Sequence, residues 1–164
     1  MNAGAYGGEM KDVLKSVDVL DEDMTVRTYT AEECQLSYRH SRFEEHGGIV
    51  VSAVFQLKNG NKDEISAQMD DLFRRRREKQ PVELPSAGST FKRPVNGFAA
   101  EMIEKAGLKG LAVGGAQVSP KHSGFVVNTG GATFDDVAAL MKQVQEKVYE
   151  AYGIMLEPEV KIVG

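Results

Sequence analysis

The segment from Thr133 to Gly153 constrains the fold more than any other part of the sequence. Thr133 and Asp136 have the spacing of a capping box, in which each side chain accepts a hydrogen bond from the other residue's backbone N–H. Gly153 can adopt the left-handed conformation that ends many helices. Between these signals, apolar side chains recur at helical spacing and form one seam: Phe134, Val137, Met141, Val144 and Val148. The sequence therefore predicts a long helix over 133–152, and its single apolar face requires a second layer.

Alternation and capping signals predict the elements at the start of the chain. Apolar stretches rich in β-branched residues are typical of three strands: 17–21, 24–29 and 49–57. Thr30 and Glu33 have the spacing of another capping box, which predicts a short helix between the second and third of these strands.

A further capping box, formed by Asn61 and Glu64, predicts a helix that ends near Lys79. The basic run from Arg74 to Arg77 closes this helix, where the helix dipole favours cations, so the run needs no special function. The apolar side chains of the helix share one face and are predicted to be buried: Ile65, Met69, Leu72 and Phe73.

The second half of the chain begins with a change of composition. Pro81 and Pro85 favour an extended linker, and Asn96 is predicted to cap a short helix that Gly107 ends. Apolar stretches predict three more strands: 113–118, 124–128 and 155–163. Helices and strands thus alternate without the regular period of a parallel doubly wound sheet. We therefore predict an α+β fold in two lobes.

Charge and composition exclude several classes of protein. The formal net charge is -4, so the chain lacks the basic field that a dedicated nucleic-acid binder needs. No apolar run is long enough to span a bilayer, and we expect a cytoplasmic protein without membrane interactions. The single cysteine, Cys34, fits a reducing compartment. The cysteine and the three histidines lack the spacing of metal ligands, so we expect no metal site.

Three groups of polar residues could carry chemistry, and each also has a structural interpretation. Ser89 follows a glycine and precedes a lysine-bearing segment, which suits a proton donor beside an anionic substrate but is also typical of a turn. Arg39 stands next to Tyr38 and could bind a carboxylate or phosphate, or could belong to an exposed loop. Glu159 is predicted to face away from Val160 on the last strand, where an acid is often simply exposed. The residues alone leave both interpretations open.

Five short blocks of the sequence resemble the UDP-N-acetylenolpyruvoylglucosamine reductases, flavoenzymes that make UDP-N-acetylmuramate for peptidoglycan. The blocks occur in the family's order and together extend over essentially the whole chain. They are Asn2-Ala3-Gly4-Ala5-Tyr6-Gly7, Tyr38-Arg39-His40-Ser41, Gly88-Ser89-Thr90-Phe91-Lys92-Arg93-Pro94, Gly115-Ala116-Gln117-Val118-Ser119 and Leu156-Glu157-Pro158-Glu159-Val160. Between Gln56 and Lys79 the chain lacks an insertion found in longer members, so it resembles the shorter type. Arg93 stands where the longer type tends to have asparagine.

The resemblance implies a reaction in two halves. NADPH reduces bound FAD, and the reduced flavin gives a hydride to the double bond of UDP-N-acetylglucosamine enolpyruvate. Ser89 matches the residue that protonates the carbon next to the substrate carboxylate. Arg39 and Glu159 match the pair that stabilises the enol-like intermediate, which suits the charges of their side chains.

The resemblance also implies binding residues and a domain plan. Residues 1–80 correspond to the second lobe of a PCMH-type FAD-binding domain, residues 81–87 to a linker, and residues 88–164 to a small α+β substrate-binding domain. The residues matched to substrate contacts are Tyr38, Lys79, Arg93, Gln117 and Asn128. Those matched to the loop around the flavin are Ala3, Gly4, Ala5 and Tyr6, where small side chains let the backbone approach the ring.

No part of the sequence resembles the family's first flavin-binding lobe, which carries the glycine-rich segment that holds the FAD diphosphate. We therefore expect weak or no FAD binding and little reductase activity from this chain alone. Apolar surface that the first lobe would cover favours self-association. Two other functions stay open: a nucleotide-sugar binding module without redox chemistry, and a folded fragment without activity.

Overall fold

The computed structural model describes residues 1–163. The chain forms two compact units, of which the first ends at Met69 and the second begins at Asp70, within one continuous helix. Each unit has its own cluster of buried apolar residues. The strands of every sheet pair antiparallel, and helices accompany them, so the predicted α+β class is confirmed.

The first unit is built mainly from antiparallel strands. Its elements are β1 (Gly4–Ala5), β2 (Gly8–Glu9), a 3₁₀ turn (Met10–Asp12), β3 (Leu14–Leu20), β4 (Val26–Thr30), α1 (Arg42–His46), β5 (Ile49–Phe55) and the start of α2 (Lys62–Lys79). β1 and β2 form a hairpin, and β3 pairs with both β4 and β5. The three strands predicted for this region are therefore present, with changed ends.

Strand β3 contributes to both faces of the three-stranded sheet. On one face Val19 is fully buried in the same cluster as Cys34. On the other face the Asp18 carboxylate accepts hydrogen bonds from the hydroxyls of Thr28 on β4, at 2.7 Å, and Ser52 on β5, at 2.6 Å. This half-buried carboxylate therefore links all three strands.

Strand β5 lies at an edge of this sheet and is strongly apolar. All seven of its residues are exposed, so its apolar side chains reach solvent on both faces of the strand. Ile49, Val51 and Phe55 are 65%, 57% and 48% exposed. An exposed apolar edge of this kind is normally covered by another layer or paired with another strand.

The short helix predicted from Thr30 and Glu33 is wrong. The hydrogen bonds of the capping box do form, because the Glu33 carboxylate accepts the Thr30 N–H and the Thr30 hydroxyl accepts the Glu33 N–H. Residues 31–35 nevertheless make consecutive turns. Gln35 adopts a left-handed conformation, with φ 49°, which is incompatible with a continuing right-handed helix.

Helix α2 begins after Asn61, whose side-chain oxygen accepts two backbone N–H groups, as predicted. The prediction of a buried stripe is wrong. Ile65, Met69 and Phe73 are 45%, 66% and 63% exposed, and none of residues 62–79, all of which the structure describes, is buried. Ion pairs between arginines and acids one turn apart support the exposed helix instead. The apolar period identified a face that could be buried but not a partner for it.

The second unit combines the rest of α2 with a four-stranded sheet and two more helices. Its elements are β6 (Ser86–Ser89), α3 (Ala99–Lys105), β7 (Ala112–Val113), β8 (Ala116–Val118), β9 (Phe125–Asn128) and α4 (Phe134–Tyr152). The strand order is β6-β9-β8-β7, with α4 packed on β7 and β8 and α3 packed on α4. Its fully buried side chains include Ile103, Leu140, Val144, Val148 and Leu156. β6 begins inside the segment predicted as a linker; the predicted domain limits stay predictions.

Helix α4 confirms the strongest prediction from the sequence. The Thr133 hydroxyl accepts the Asp136 N–H at 3.1 Å, the Asp136 carboxylate accepts the Thr133 N–H at 2.9 Å, and Gly153 is left-handed with φ 67°. The buried side of the helix is centred on the later members of the seam, with Leu140 added. Phe134, in the first turn, is 63% exposed.

Two predictions around α3 and the sheet are wrong. Phe98, and not Asn96, is the N-cap residue of α3, and it caps without a side-chain hydrogen bond. The strand predicted over 113–118 is divided by Gly114 and Gly115, which form the turn between β7 and β8. Gly114 has φ 53°, a conformation that suits a two-residue hairpin turn.

The strand predicted over 155–163 is reduced to an isolated bridge between Pro158 and Phe91. Proline has no N–H to donate, which limits the ladder that this segment can form. The predicted alternation of faces is absent too, since Glu159 and Val160 are both half-buried. The segment is therefore held by a few specific hydrogen bonds rather than by a regular strand.

Candidate active site

An irregularity in β6 sets the position of Ser89. β6 pairs with β9 at Ser86↔Val127 and again at Ser89↔Phe125, so β6 has one more residue than β9 between the two pairs. Gly88 lies in this interval with φ 82°, a conformation that favours glycine. A bulge of this kind changes the direction of the side chains that follow it. It leaves Ser89 exposed at the end of the strand.

A short ladder of backbone hydrogen bonds brings the segment after Ser89 next to Glu159. The Glu159 N–H donates to the Thr90 carbonyl at 2.8 Å, and the Lys92 N–H donates to the Glu157 carbonyl at 2.8 Å. The Lys92 ammonium and the Glu157 carboxylate also form an ion pair at 2.5 Å. Two residues that are far apart in the sequence are therefore held on facing segments.

A pocket of about 340 Å³ opens beside this ladder. Thr90 and Val160, the neighbours of Ser89 and Glu159, contribute to its wall, and so does Asn128 at the end of β9. The rest of the wall is mainly apolar and is formed by Pro85, Ser86, Ala87, Val126, Val127, Val137 and Met141. An apolar pocket with a few polar groups at its edge is the usual form of a small-molecule site.

The side-chain amides of Gln117 and Asn128 hold neighbouring loops. Asn128 Oδ1 accepts the N–H groups of Gly130 at 2.8 Å and Ala132 at 3.2 Å. Gln117 Nε2 donates to the Gly110 carbonyl at 3.2 Å. These bonds use the carbonyl oxygen of Asn128 and one of the two N–H groups of the Gln117 amide.

The turn between β7 and β8 packs tightly against the start of α4. A Cβ on Gly115 would lie 2.4 Å from the Gly130 carbonyl oxygen, and a Cβ on Gly114 would meet the Asp136 carboxylate. The backbone N–H of Thr133 lowers the pKa of Asp136, which keeps this carboxylate charged at the positive end of the helix. The glycine pair is therefore a packing feature.

Lys79 and Arg93 supply cations on the surface of the second unit. Lys79 is exposed and ends α2. The Arg93 guanidinium carbon lies 4.1 Å from the centroid of the Phe98 ring, a cation–π contact. Their predicted roles in substrate binding stay predictions.

Tyr38 and Arg39 occupy a tight turn in the first unit. An isolated bridge joins Ser37 and His40 around them, and Arg39 has φ 55°. Its guanidinium carbon lies 5.3 Å from the centroid of the exposed Tyr38 ring. A left-handed conformation is uncommon for a residue with a side chain, and Arg39 shares it with Tyr6, Met24 and Gln35. The turn and the ladder belong to different units, and the role of Arg39 in the reaction stays a prediction.

The residues predicted to surround a flavin lie in the first half of the hairpin of β1 and β2: Ala3 precedes β1, Gly4 and Ala5 form it, and Tyr6 begins the turn. Tyr6, with φ 52°, and Gly7, with φ 86°, make its two-residue turn. Residues 3–8 are exposed. Apart from its neighbours in the chain, no heavy atom of residues 1–163 lies within 4 Å of a Cβ built on Gly8. Open backbone with small side chains fits close approach of a planar ring.

Sequence reasoning missed Thr90 as a separate residue of interest. It is 4% exposed, its N–H donates to the Gly124 carbonyl at 2.8 Å, and its hydroxyl accepts the Val126 N–H at 3.1 Å. Nothing in the spacing of the sequence marks it, because the register that brings these partners together is set by the bulge.

Residues 1–163 contain no group of three or more histidine, cysteine, aspartate and glutamate side chains placed to hold a metal ion. Over the same residues, none of the helices has the length and apolar character that crossing a membrane requires. Cys34 is buried in the first unit, and burial raises the pKa of its thiol.

Comparisons relate the chain to known proteins. A family model described as UDP-N-acetylenolpyruvoylglucosamine reductase, C-terminal domain, matches residues 80–163. Two proteins named UDP-N-acetylenolpyruvoylglucosamine reductase match all 164 residues: that of Caldanaerobacter subterraneus subsp. tengcongensis is 53% identical, and that of Agathobacter rectalis is 57% identical. The matches cover 54% and 52% of these two proteins, so the chain spans about half their length.

A solved structure gives the same result for the fold. The crystal structure of UDP-N-acetylenolpyruvylglucosamine reductase from Thermus caldophilus matches with a TM-score of 0.85 and 38% sequence identity. The match covers 100% of this chain and 58% of the other. The similarity therefore extends over the elements of both units.

Proposed function

Because the chain belongs to the UDP-N-acetylenolpyruvoylglucosamine reductase family, we propose that it is part of a reductase that converts UDP-N-acetylglucosamine enolpyruvate to UDP-N-acetylmuramate for peptidoglycan. The ladder that holds the segments of Ser89 and Glu159 together supports this proposal most directly. It joins the two segments that carry these residues, and Thr90 and Val160, their neighbours in the chain, line a pocket. Since the chain spans about half the length of its relatives, the activity is assigned to the completed protein.

The proposed chemistry follows from the charge that develops on the substrate. Addition of hydride to the enolpyruvyl double bond leaves negative charge on the carbon next to the substrate carboxylate. Ser89 protonates that carbon; a serine hydroxyl is a weak acid, so it donates effectively only to a strongly basic centre. Glu159 polarises the enol-like state, and Arg39 neutralises its carboxylate.

FAD is the cofactor in this proposal, with NADPH as its reductant, and bound flavin supplies the hydride. The hairpin contributes Ala3, Gly4, Ala5 and Tyr6 to the flavin site, and their exposed backbone fits a planar ring. The family resemblance assigns the FAD diphosphate to residues outside this chain. We therefore expect weak FAD binding by the chain alone.

The substrate is proposed to bind through the residues that the family resemblance matches to substrate contacts. Lys79 and Arg93 attract its diphosphate, and Tyr38 contacts it beside Arg39. Asn128 contributes its amino group at the edge of the pocket. Gln117, which donates one N–H to the Gly110 carbonyl, contributes the rest of its side-chain amide.

Two further parts of the proposal concern the setting of the chain. A cytoplasmic location agrees with a buried free thiol at Cys34 and with NADPH as the reductant.

Self-association of the isolated chain is proposed to occur through β5, whose apolar side chains are exposed. Val51→Lys should then reduce the sedimentation coefficient at high protein concentration, and an unchanged concentration dependence would count against β5.

A completed enzyme tests the proposed function. This chain replaces the matching part of the Caldanaerobacter relative, and the hybrid protein is purified with FAD. We expect NADPH oxidation that depends on UDP-N-acetylglucosamine enolpyruvate. Ser89→Ala should lower kcat by at least about 100-fold at unchanged flavin content. Ser66→Ala, which changes an exposed serine on α2, is the control and should keep full activity.

The same experiment separates the alternatives. A hybrid that retains FAD but does not oxidise NADPH with the substrate contradicts the proposal. Titration of the isolated chain with the substrate then distinguishes the other two functions. Saturable binding without turnover in the hybrid indicates a nucleotide-sugar binding module, and absence of binding indicates an inactive fragment.

A further inference from the structure

Thr90 connects three parts of the candidate site. Its N–H donates to the Gly124 carbonyl at 2.8 Å, its carbonyl accepts the Glu159 N–H at 2.8 Å, and its hydroxyl accepts the Val126 N–H at 3.1 Å. Thr90 itself is buried, whereas Ser89, the residue before it, is exposed. The backbone that carries the candidate proton donor is therefore fixed from the interior side.

The three hydrogen bonds differ in what they require from position 90. Two of them use only backbone atoms, so most residues could make them. The bond from Val126 needs a side-chain acceptor. It forms next to the bulge, where the pairing of β6 with β9 is irregular. The hydroxyl therefore adds a hydrogen bond to β9 at the point where the backbone pairing between β6 and β9 is irregular.

The turn that holds Gly124 is itself constrained. The Gly124 N–H donates to His122 Nδ1 at 3.2 Å, and the His122 ring packs edge-on against Phe125 with centroids 4.9 Å apart. The Ser123 hydroxyl donates to the Ala100 carbonyl at 2.6 Å and fastens the turn to α3. Thr90 is therefore bonded to a turn that is itself hydrogen-bonded to α3.

We propose that Thr90 is a positioning residue for the reduction, whose hydroxyl sets Ser89 and Glu159 relative to each other. The inference rests on the proposed function, which assigns the proton donor and the acid. A rotation of the Thr90 backbone would move both residues, because one precedes it in the chain and the other is bonded to its carbonyl. Proton transfer requires near-contact geometry, so small displacements have large effects on rate.

Three substitutions at position 90 separate the hydroxyl from the rest of the side chain. Thr90→Val keeps the shape and removes the acceptor, Thr90→Ser keeps the acceptor and removes the methyl group, and Thr90→Ala removes both. In the hybrid enzyme we expect Thr90→Val and Thr90→Ala to lower kcat about 10- to 100-fold with KM changed less than about twofold. Thr90→Ser should retain the parent kcat. If the valine variant does not fold, the serine and alanine variants still differ by the hydroxyl alone.

The solvent deuterium isotope effect on kcat distinguishes positioning from general damage. Slower proton delivery should make this effect larger in the valine and alanine variants. A smaller folded fraction would lower kcat but would leave the solvent isotope effect unchanged. The inference is overturned if these variants keep the parent kcat, if the isotope effect is unchanged while kcat falls, or if the serine variant loses as much activity as the alanine variant.

A measurement on the isolated chain keeps this inference separate from the proposed function. Amide hydrogen exchange of Glu159, followed by NMR, should be at least about tenfold faster in Thr90→Ala than in the parent and close to the parent in Thr90→Ser. An inactive parent hybrid would count against the proposed function. The exchange rates alone would then show whether the Thr90 hydroxyl stabilises the hydrogen bond from the Glu159 N–H to the Thr90 carbonyl. Equal rates in all variants would overturn the inference.

Discussion

Gly115→Ala is expected to destabilise the second unit by about 3 kcal/mol. A Cβ at this position would lie 2.4 Å from the Gly130 carbonyl oxygen and 2.5 Å from the Ala132 nitrogen. Both are backbone atoms, so the loop before α4 would have to move by about 1 Å to restore ordinary contact. The Thr129 N–H donates to the Gly115 carbonyl at 2.9 Å and opposes that movement. Overpacking typically costs about 1–3 kcal/mol, and displaced backbone puts this site at the upper end.

Gly131→Ala provides the matched control in the same loop. Gly131 has φ 68°, and apart from its chain neighbours no heavy atom of the described residues 1–163 lies within 4 Å of a Cβ placed on it. Its cost is therefore the conformational one alone, about 1 kcal/mol. Urea unfolding followed through the amide resonances of α4 measures the second unit in both variants. Equal losses, or a smaller loss for Gly115→Ala, would refute the reasoning from close backbone contact.

Three further predictions follow from burial, charge and open space. Leu140→Ala, at a fully buried position of α4, should cost about 2–5 kcal/mol in urea unfolding. The hydroxyls of Ser52 and Thr28 lower the pKa of Asp18 in the folded state, so their contribution to stability is present above the ordinary aspartate pKa. This contribution should be lost as pH falls below the ordinary aspartate pKa of about 4 and through the lower pKa of the folded state, and thermal unfolding of the first unit measures it. Gly8→Ala should leave stability unchanged but weaken FAD binding by the hybrid enzyme about tenfold, as flavin fluorescence reports.

Two of these predictions have a control variant, and the third has an outcome that would contradict it. Lys142→Ala changes an exposed side chain on the same helix as Leu140 and should stay within about 0.5 kcal/mol of the parent. Asp18→Asn should flatten the acid-dependent loss of stability, and an unchanged slope would assign that loss to other carboxylates. Unaltered flavin affinity in Gly8→Ala would place the flavin away from the hairpin.

Elements decided by local signals could be predicted from the sequence. Helix α4 was predictable because Thr133, Asp136 and Gly153 are local signals that need no information from the rest of the chain. The same was true of the start of α2 at Asn61. The short helix after Thr30 failed because its capping bonds compete with a left-handed residue two positions beyond them, and propensity does not exclude that conformation.

The geometry of the candidate site depends on contacts that no local pattern contains. The bulge at Gly88 follows from the register of β6 on β9, and Glu159 lies near Ser89 because of a ladder between distant segments. No periodic pattern in the sequence indicates the one-residue shift or the role of Thr90. The resemblance to a family supplied the identities of Ser89 and Glu159, and the structure supplied the reason that their segments meet.

The ladder between the segments of Ser89 and Glu159 has a consequence for protein engineering. Its hydrogen bonds are made by backbone atoms, and backbone bonds do not depend on the identity of the side chains. Val160 lines the pocket directly after Glu159. A library of substitutions at Val160 would therefore reshape the pocket for altered substrates while Glu159 keeps its register, which makes this position a favourable starting point for directed evolution.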